Sequence, residues 1–77
     1  RQMEELIGMI CNGELDLRFK NLDKKEITII TEILLTDIKL EFLDLKGSRI
    51  YPGGITKIVN VLRKNNILKI LDLSRSK

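Results

Sequence analysis

The sequence predicts an α/β solenoid, with short parallel strands along one side and helices along the other, and three observations predict it. The tripeptide Leu-Asp-Leu occurs at Leu15-Asp16-Leu17, Leu43-Asp44-Leu45 and Leu71-Asp72-Leu73, a spacing of 28 residues each time. Within each interval the aliphatic spacing changes from period 2 to i, i+3, i+4, i+7, the switch from a half-buried strand to a helix with one apolar stripe. One such unit has nothing of its own against which to bury that stripe, so successive units must stack.

In chain order, Met3, Leu6, Ile7 and Ile10 share one helical face, so the chain opens with a helix, taken as the end of a partial repeat over residues 1–13. A full repeat follows over 14–41. Its strand carries Leu15 and Leu17 inward, and its helix carries Ile27, Ile30, Thr31 and Leu34 on one stripe. Asp23 and Glu26 have capping-box spacing at that helix start. The second full repeat spans 42–69, with a strand over 42–46 and a helical stripe of Ile55, Ile58, Val59 and Leu62. Pro52 stands where a first helical residue is favoured, Arg63 and Lys64 complement the helix dipole, and Asn65-Asn66 supplies a stop. Residues 70–77 form the strand of a truncated repeat. Strand–helix–strand units of this length close as right-handed parallel crossovers, and the alternation within each strand leaves one sheet face open to water.

The composition agrees with a packed chain. Twelve Ile and thirteen Leu make up a third of the 77 residues, far too aliphatic for a disordered segment. The net charge of +3 is not the dense basic stripe of a nucleic-acid binder, so no nucleic-acid partner is expected. The longest apolar stretch, 27–35, is interrupted by Thr28, Thr31 and Glu32 and falls far short of the ~20 residues of a membrane span, so no membrane partner is expected. A single cysteine, Cys11, closes no intramolecular disulfide and points to a cytoplasmic, reducing compartment. Position 1 is not methionine, and the last strand is followed by no closing element, so a fragment of a longer array is expected, with end-to-end stacking on further repeats or neighbouring subunits.

The stretch from Leu40 to Ile50, followed by Gly54-Ile55-Thr56-Lys57-Ile58-Val59-Asn60-Val61-Leu62, resembles the 28-residue leucine-rich repeat of the ribonuclease-inhibitor type. The resemblance covers essentially the whole chain. It implies a horseshoe segment with strands on the concave face and helices on the convex face. It also implies a non-enzymatic protein-interaction module that binds protein partners, often through the concave face. Two further roles are compatible with it: a structural component of a large intracellular assembly, and a GTPase regulator of the Ran-activator type. The sequence departs from the pattern where Lys20, Ser48 and Ser76 replace the usual Asn or Cys, which predicts a weakened ladder beneath the loops. It departs again at Asn12, which takes the place of Leu40 and Leu68 and predicts an irregular junction over 10–14.

No enzyme chemistry is expected. The absence of histidine removes Ser-His-Asp, Cys-His and His-metal sites. The terminal Ser74-Arg75-Ser76-Lys77 matches S-x-x-K without its companion motifs, and Pro52-Gly53-Gly54 with Thr56-Lys57 lacks phosphate-loop spacing. No cofactor or metal is expected. Cys11 is expected to be a buried small apolar residue or a junction residue, and Lys24, Lys25, Lys57, Arg63 and Lys64 a solvated helical face.

The candidate partner-binding surface is the open sheet face: Asp16, Arg18, Phe42, Asp44, Lys46, Ile70 and Asp72. Stacked strands bring the three aspartates to ~5 Å spacing, where repulsion in water is only about 0.8 kcal/mol per pair, and Arg18 and Lys46 offset it. Phe42 and Ile70 are the candidate anchors, with Phe19 at a strand exit.

Overall fold

The computed structural model describes residues 2–36, 38–64 and 67–76. The element order is α1 (Gln2–Met9), β1 (Glu14–Asp16), β2 (Asn21–Leu22), α2 (Lys24–Leu34), β3 (Phe42–Asp44), β4 (Arg49–Ile50), α3 (Gly54–Leu62) and β5 (Ile70–Asp72). The fold is mixed α/β, with two parallel sheets ordered β1-β3-β5 and β2-β4. The register repeats the sequence period: Leu15, Leu43 and Leu71 are paired in one row, as are Asp16, Asp44 and Asp72.

The strands end at the aspartates, two residues earlier than the alternation predicts, but the hydrogen bonding continues. Leu17 N–H donates to Asp44 O at 2.9 Å and Leu45 N–H to Asp72 O at 2.8 Å. Phe19 and Gly47 then donate to the carbonyls of Lys46 and Ser74 at 2.9 and 2.7 Å. Before each strand the pattern is equally regular: Gly13 O accepts from Glu41 and Phe42, and Glu41 O accepts from Lys69 and Ile70.

Leu15, Leu17, Leu43 and Leu45 lie on the inner face with the buried stripe of α2. Ile27, Ile30, Thr31 and Leu34 are all buried as the spacing predicts, and Ile33 joins them because α2 packs against helices on both sides. Burial of the four aliphatic side chains among them contributes about 1.5–3 kcal/mol each toward folding. The Asp23–Glu26 capping box forms in full, with Glu26 N–H donating to Asp23 Oδ1 at 2.9 Å and Asp23 N–H to Glu26 Oε1 at 3.2 Å.

Three local expectations are corrected. Helix α3 begins at Gly54, after Gly53 in the left-handed region at φ 89°, so Pro52 belongs to the preceding turn rather than the first helical position. Of the two expectations for Cys11, burial is corrected and the junction place holds: it is exposed beside a two-residue turn, where Cys11 and Glu14 exchange both backbone hydrogen bonds at 2.9 Å around Asn12 and Gly13, at φ 52° and 79°. Positive φ at both central residues is the turn that Asn-Gly favours, and it accounts for the irregular junction. The ladder is also present rather than weakened. Ser48, fully buried, donates its hydroxyl to Leu17 O and accepts from Lys20 N–H at 3.1 Å, and Ser76 donates to Leu45 O at 2.6 Å. A hydroxyl thus reaches back one repeat where an amide was expected. The proposed stop at Asn65-Asn66, together with Lys77, lies outside the described residues.

Candidate interaction surface

The outer face of the three-stranded sheet carries three rows of side chains set by the parallel register. The first is Glu14, Phe42 and Ile70, the second Asp16, Asp44 and Asp72. Arg18, Lys46 and Ser74 follow two residues further along. All seven candidate residues therefore fall on one face, with Asp16, Arg18 and Ile70 exposed and Phe42, Asp44, Lys46 and Asp72 half-buried. Ile70 is 53% exposed beside Phe42, so an apolar pair within the first row borders the charged ones.

The aspartates have a local task that the sequence reading did not assign. Each accepts the backbone N–H two residues ahead: Arg18 to Asp16 Oδ1 at 3.1 Å, Lys46 to Asp44 Oδ1 at 3.1 Å, and Ser74 to Asp72 Oδ1 at 2.9 Å. Asp side chains favour this geometry because they mimic a backbone turn. The signal was available, since Asp stands two residues before the turn in every repeat.

Arg18 adds a fork. Its Nε and Nη2 donate to the two carboxylate oxygens of Asp16 at 2.9 and 2.8 Å, and Nε lies 3.6 Å from Asp44 Oδ2. The guanidinium, and then the Arg18 amide, hold Asp16 below the usual carboxylate range, while Asp16 raises Arg18. Ser74 lowers Asp72 in the same way, through its hydroxyl and its amide. The three rows bring Glu14 and three aspartates together with Arg18 and Lys46, and Lys20 acts on Asp16 from the strand exit, so charges of both signs are interspersed on this surface.

Phe19 is 69% exposed and lies outside the three rows, at φ 57°, with its ring over Gly47. A Cβ on Gly47 would stand 2.4 Å from two ring carbons, so the ring packs on the neighbouring repeat's turn. Positions 19, 47 and 75 all have positive φ, at 57°, 71° and 59°, which shows one turn conformation recurring with the 28-residue period.

A recess of about 480 Å³ beside α1 is lined by Leu6, Met9 and Leu17 with Glu5, Lys20 and Glu26 at its rim. Among the described residues, no group of three or more His, Cys, Asp or Glu side chains is placed to hold a metal ion, and no helix is long and apolar enough to cross a membrane. No family model matches the sequence, and neither a curated protein nor a solved structure matches it significantly.

Proposed function

We propose that this chain is a segment of a leucine-rich repeat array acting as a non-enzymatic protein-interaction module in a reducing, cytoplasmic setting, with the outer sheet face as its concave binding surface. The observation that carries the reading is the in-register apolar pair of Phe42 and Ile70 bordering the aspartate row. An aromatic anchor flanked by ordered charges is the usual make-up of a binding hot spot. The Arg18–Asp16 fork pre-orders part of the surface and reduces the entropy lost on binding.

The test compares two neighbouring substitutions whose side chains face opposite ways. Phe42→Ala is expected to weaken capture of the partner by roughly tenfold, about 1–2 kcal/mol, with an unchanged melting curve. Leu43→Ala, at a buried position, is expected to cost about 2–5 kcal/mol of stability. Unfolding by Phe42→Ala with loss of binding alone by Leu43→Ala would overturn the assignment of faces. The captured complex also separates the other roles: a stoichiometric, salt-resistant complex marks a structural component, and a nucleotide-dependent GTPase partner marks a regulator.

A further inference from the structure

Asn12-Gly13 is the only Asn-Gly pair in the sequence, and the fold leaves it open to chemistry. Asn12 is exposed at φ 52°, Gly13 follows at φ 79°, and the Gly13 N–H donates to no acceptor among the described residues. Two constraints hold a glycine there: the positive φ, and the Glu41 side chain, whose Oε1 stands 3.3 Å from where a Cβ would project. Without a Cβ, the amide nitrogen is unshielded from the side chain before it. The turn also closes on itself. Phe42 and Ile70 donate their N–H groups to Gly13 O and Glu41 O of the unit before them, whereas Glu14, in the same row, donates to Cys11 O. The geometry of the pair is therefore set by residues 11–14 and by their bonds to β3.

We propose that Asn12 is a site of spontaneous deamidation, and that its isoaspartate product loosens the anchor of β3 on β1. Asparagine is a thermolabile side chain, and local opening of this exposed two-bond turn lets its Cγ swing onto the Gly13 nitrogen. The Gly13 nitrogen attacks Asn12 Cγ. The new N–Cγ bond forms as Cγ–Nδ2 breaks, and the side-chain nitrogen leaves as ammonia, taking the proton that Gly13 gives up. Water then opens the resulting succinimide. Cleavage at Cγ yields aspartate at position 12, and cleavage at the main-chain carbonyl yields isoaspartate, with the chain rerouted through the side chain and one methylene longer. No oxidant or reductant takes part. The aspartate product keeps the turn, because Asp-Gly favours the same conformation as Asn-Gly. The isoaspartate product does not. A two-residue turn has no slack for an added main-chain atom, so Gly13 O shifts away from Glu41 N–H and Phe42 N–H, which it accepts at 2.8 and 2.9 Å.

The experiment ages the 77-residue chain at mildly alkaline and mildly acidic pH and follows amide-to-acid conversion by mass spectrometry with peptide mapping. Conversion at Asn12 is expected to run roughly tenfold or more faster than at Asn21 and Asn60, whose following residues Leu22 and Val61 shield the amide, and to quicken at alkaline pH. In the separated isoaspartate fraction, the Glu41 and Phe42 amides are expected to exchange with solvent roughly tenfold or more faster than in the fresh chain, with the Leu17 and Leu45 amides unchanged. The Asn12→Asp variant carries the same new charge and is expected to keep Glu41 and Phe42 protected. Neither readout needs a partner. Conversion at Asn12 no faster than at Asn21 and Asn60 overturns the site. Unchanged exchange at Glu41 and Phe42 in the isoaspartate fraction overturns the loosened anchor, and equal loss of protection in Asn12→Asp overturns its assignment to the added methylene.

Discussion

Replacing Ser48 by alanine removes one oxygen and leaves two backbone groups without partners. The hydroxyl is fully buried, it is the donor to Leu17 O, and it accepts from Lys20 N–H at 3.1 Å. Leu17 is itself buried, so its carbonyl has no water to turn to, whereas Lys20 is exposed and its amide is partly rehydrated. A buried group left unpaired costs about 1–3 kcal/mol, and the lost bond at Lys20 adds less, for a total of about 2–4 kcal/mol. A core of this size supplies only ~3–5 kcal/mol, so Ser48→Ala is expected to remove about half or more of the chain's stability and to leave it marginally folded at room temperature. Ser76→Ala loses one 2.6 Å bond to Leu45 O at a half-buried site and is expected to cost only about 0.5–1.5 kcal/mol. Urea denaturation followed by circular dichroism reads both. A Ser48→Ala loss below ~0.5 kcal/mol, or one no greater than that of Ser76→Ala, would refute the ladder as a source of stability.

Two further outcomes test the turns. Gly47→Ala is expected to destabilise by at least about 1–2 kcal/mol, because alanine pays for φ 71° and its Cβ meets the Phe19 ring at 2.4 Å. Adding Phe19→Ala is expected to recover the steric part and not the backbone part, so additive losses in the double-mutant cycle would contradict the ring's placement. Asp16 and Asp72 have folded-state pKa values below 3.8, so their stabilisation is fully present above the unfolded-state value and is lost as pH falls through the folded values. Thermal melts are expected to drop below about pH 4, and Asp16→Asn to flatten part of that acid limb; an unaltered limb counts against the Arg18 fork.

The parts of the fold legible in the sequence are those governed by periodic burial. The rows headed by Leu15 and Asp16 follow from a 28-residue spacing, and the α2 stripe from helical spacing with the Asp23 box at its start. Ile33 escaped because a helix with neighbours on both sides buries a wider arc than one stripe. The pair β2-β4 is two residues long in each strand, too short for any period to register. Pro52 pointed to the wrong start because Gly53 supplies a left-handed step that no pattern of apolar residues encodes. At the candidate surface, the shared face of all seven residues was readable from alternation. The aspartate turns had a signal, Asp two residues before each turn, that alternation alone does not use. The hydroxyl ladder had none, since it depends on where a short polar side chain meets backbone, and the resembled repeat pattern has asparagine or cysteine rather than serine at that place.

The aspartate turns and the serine ladder stand at opposite extremes of chain separation. Each aspartate reaches two residues ahead, whereas Ser48 and Ser76 each reach a carbonyl 31 residues back. A contact two residues away closes almost no loop, and one across a repeat must first bring distant chain together. The turn at each repeat is thus expected to form as a local event, and the ladder bonds only once two neighbouring units have docked. Time enters the architecture through this difference: the carboxylates are expected to favour the route by which a unit folds, and the hydroxyls to slow the parting of two units once joined.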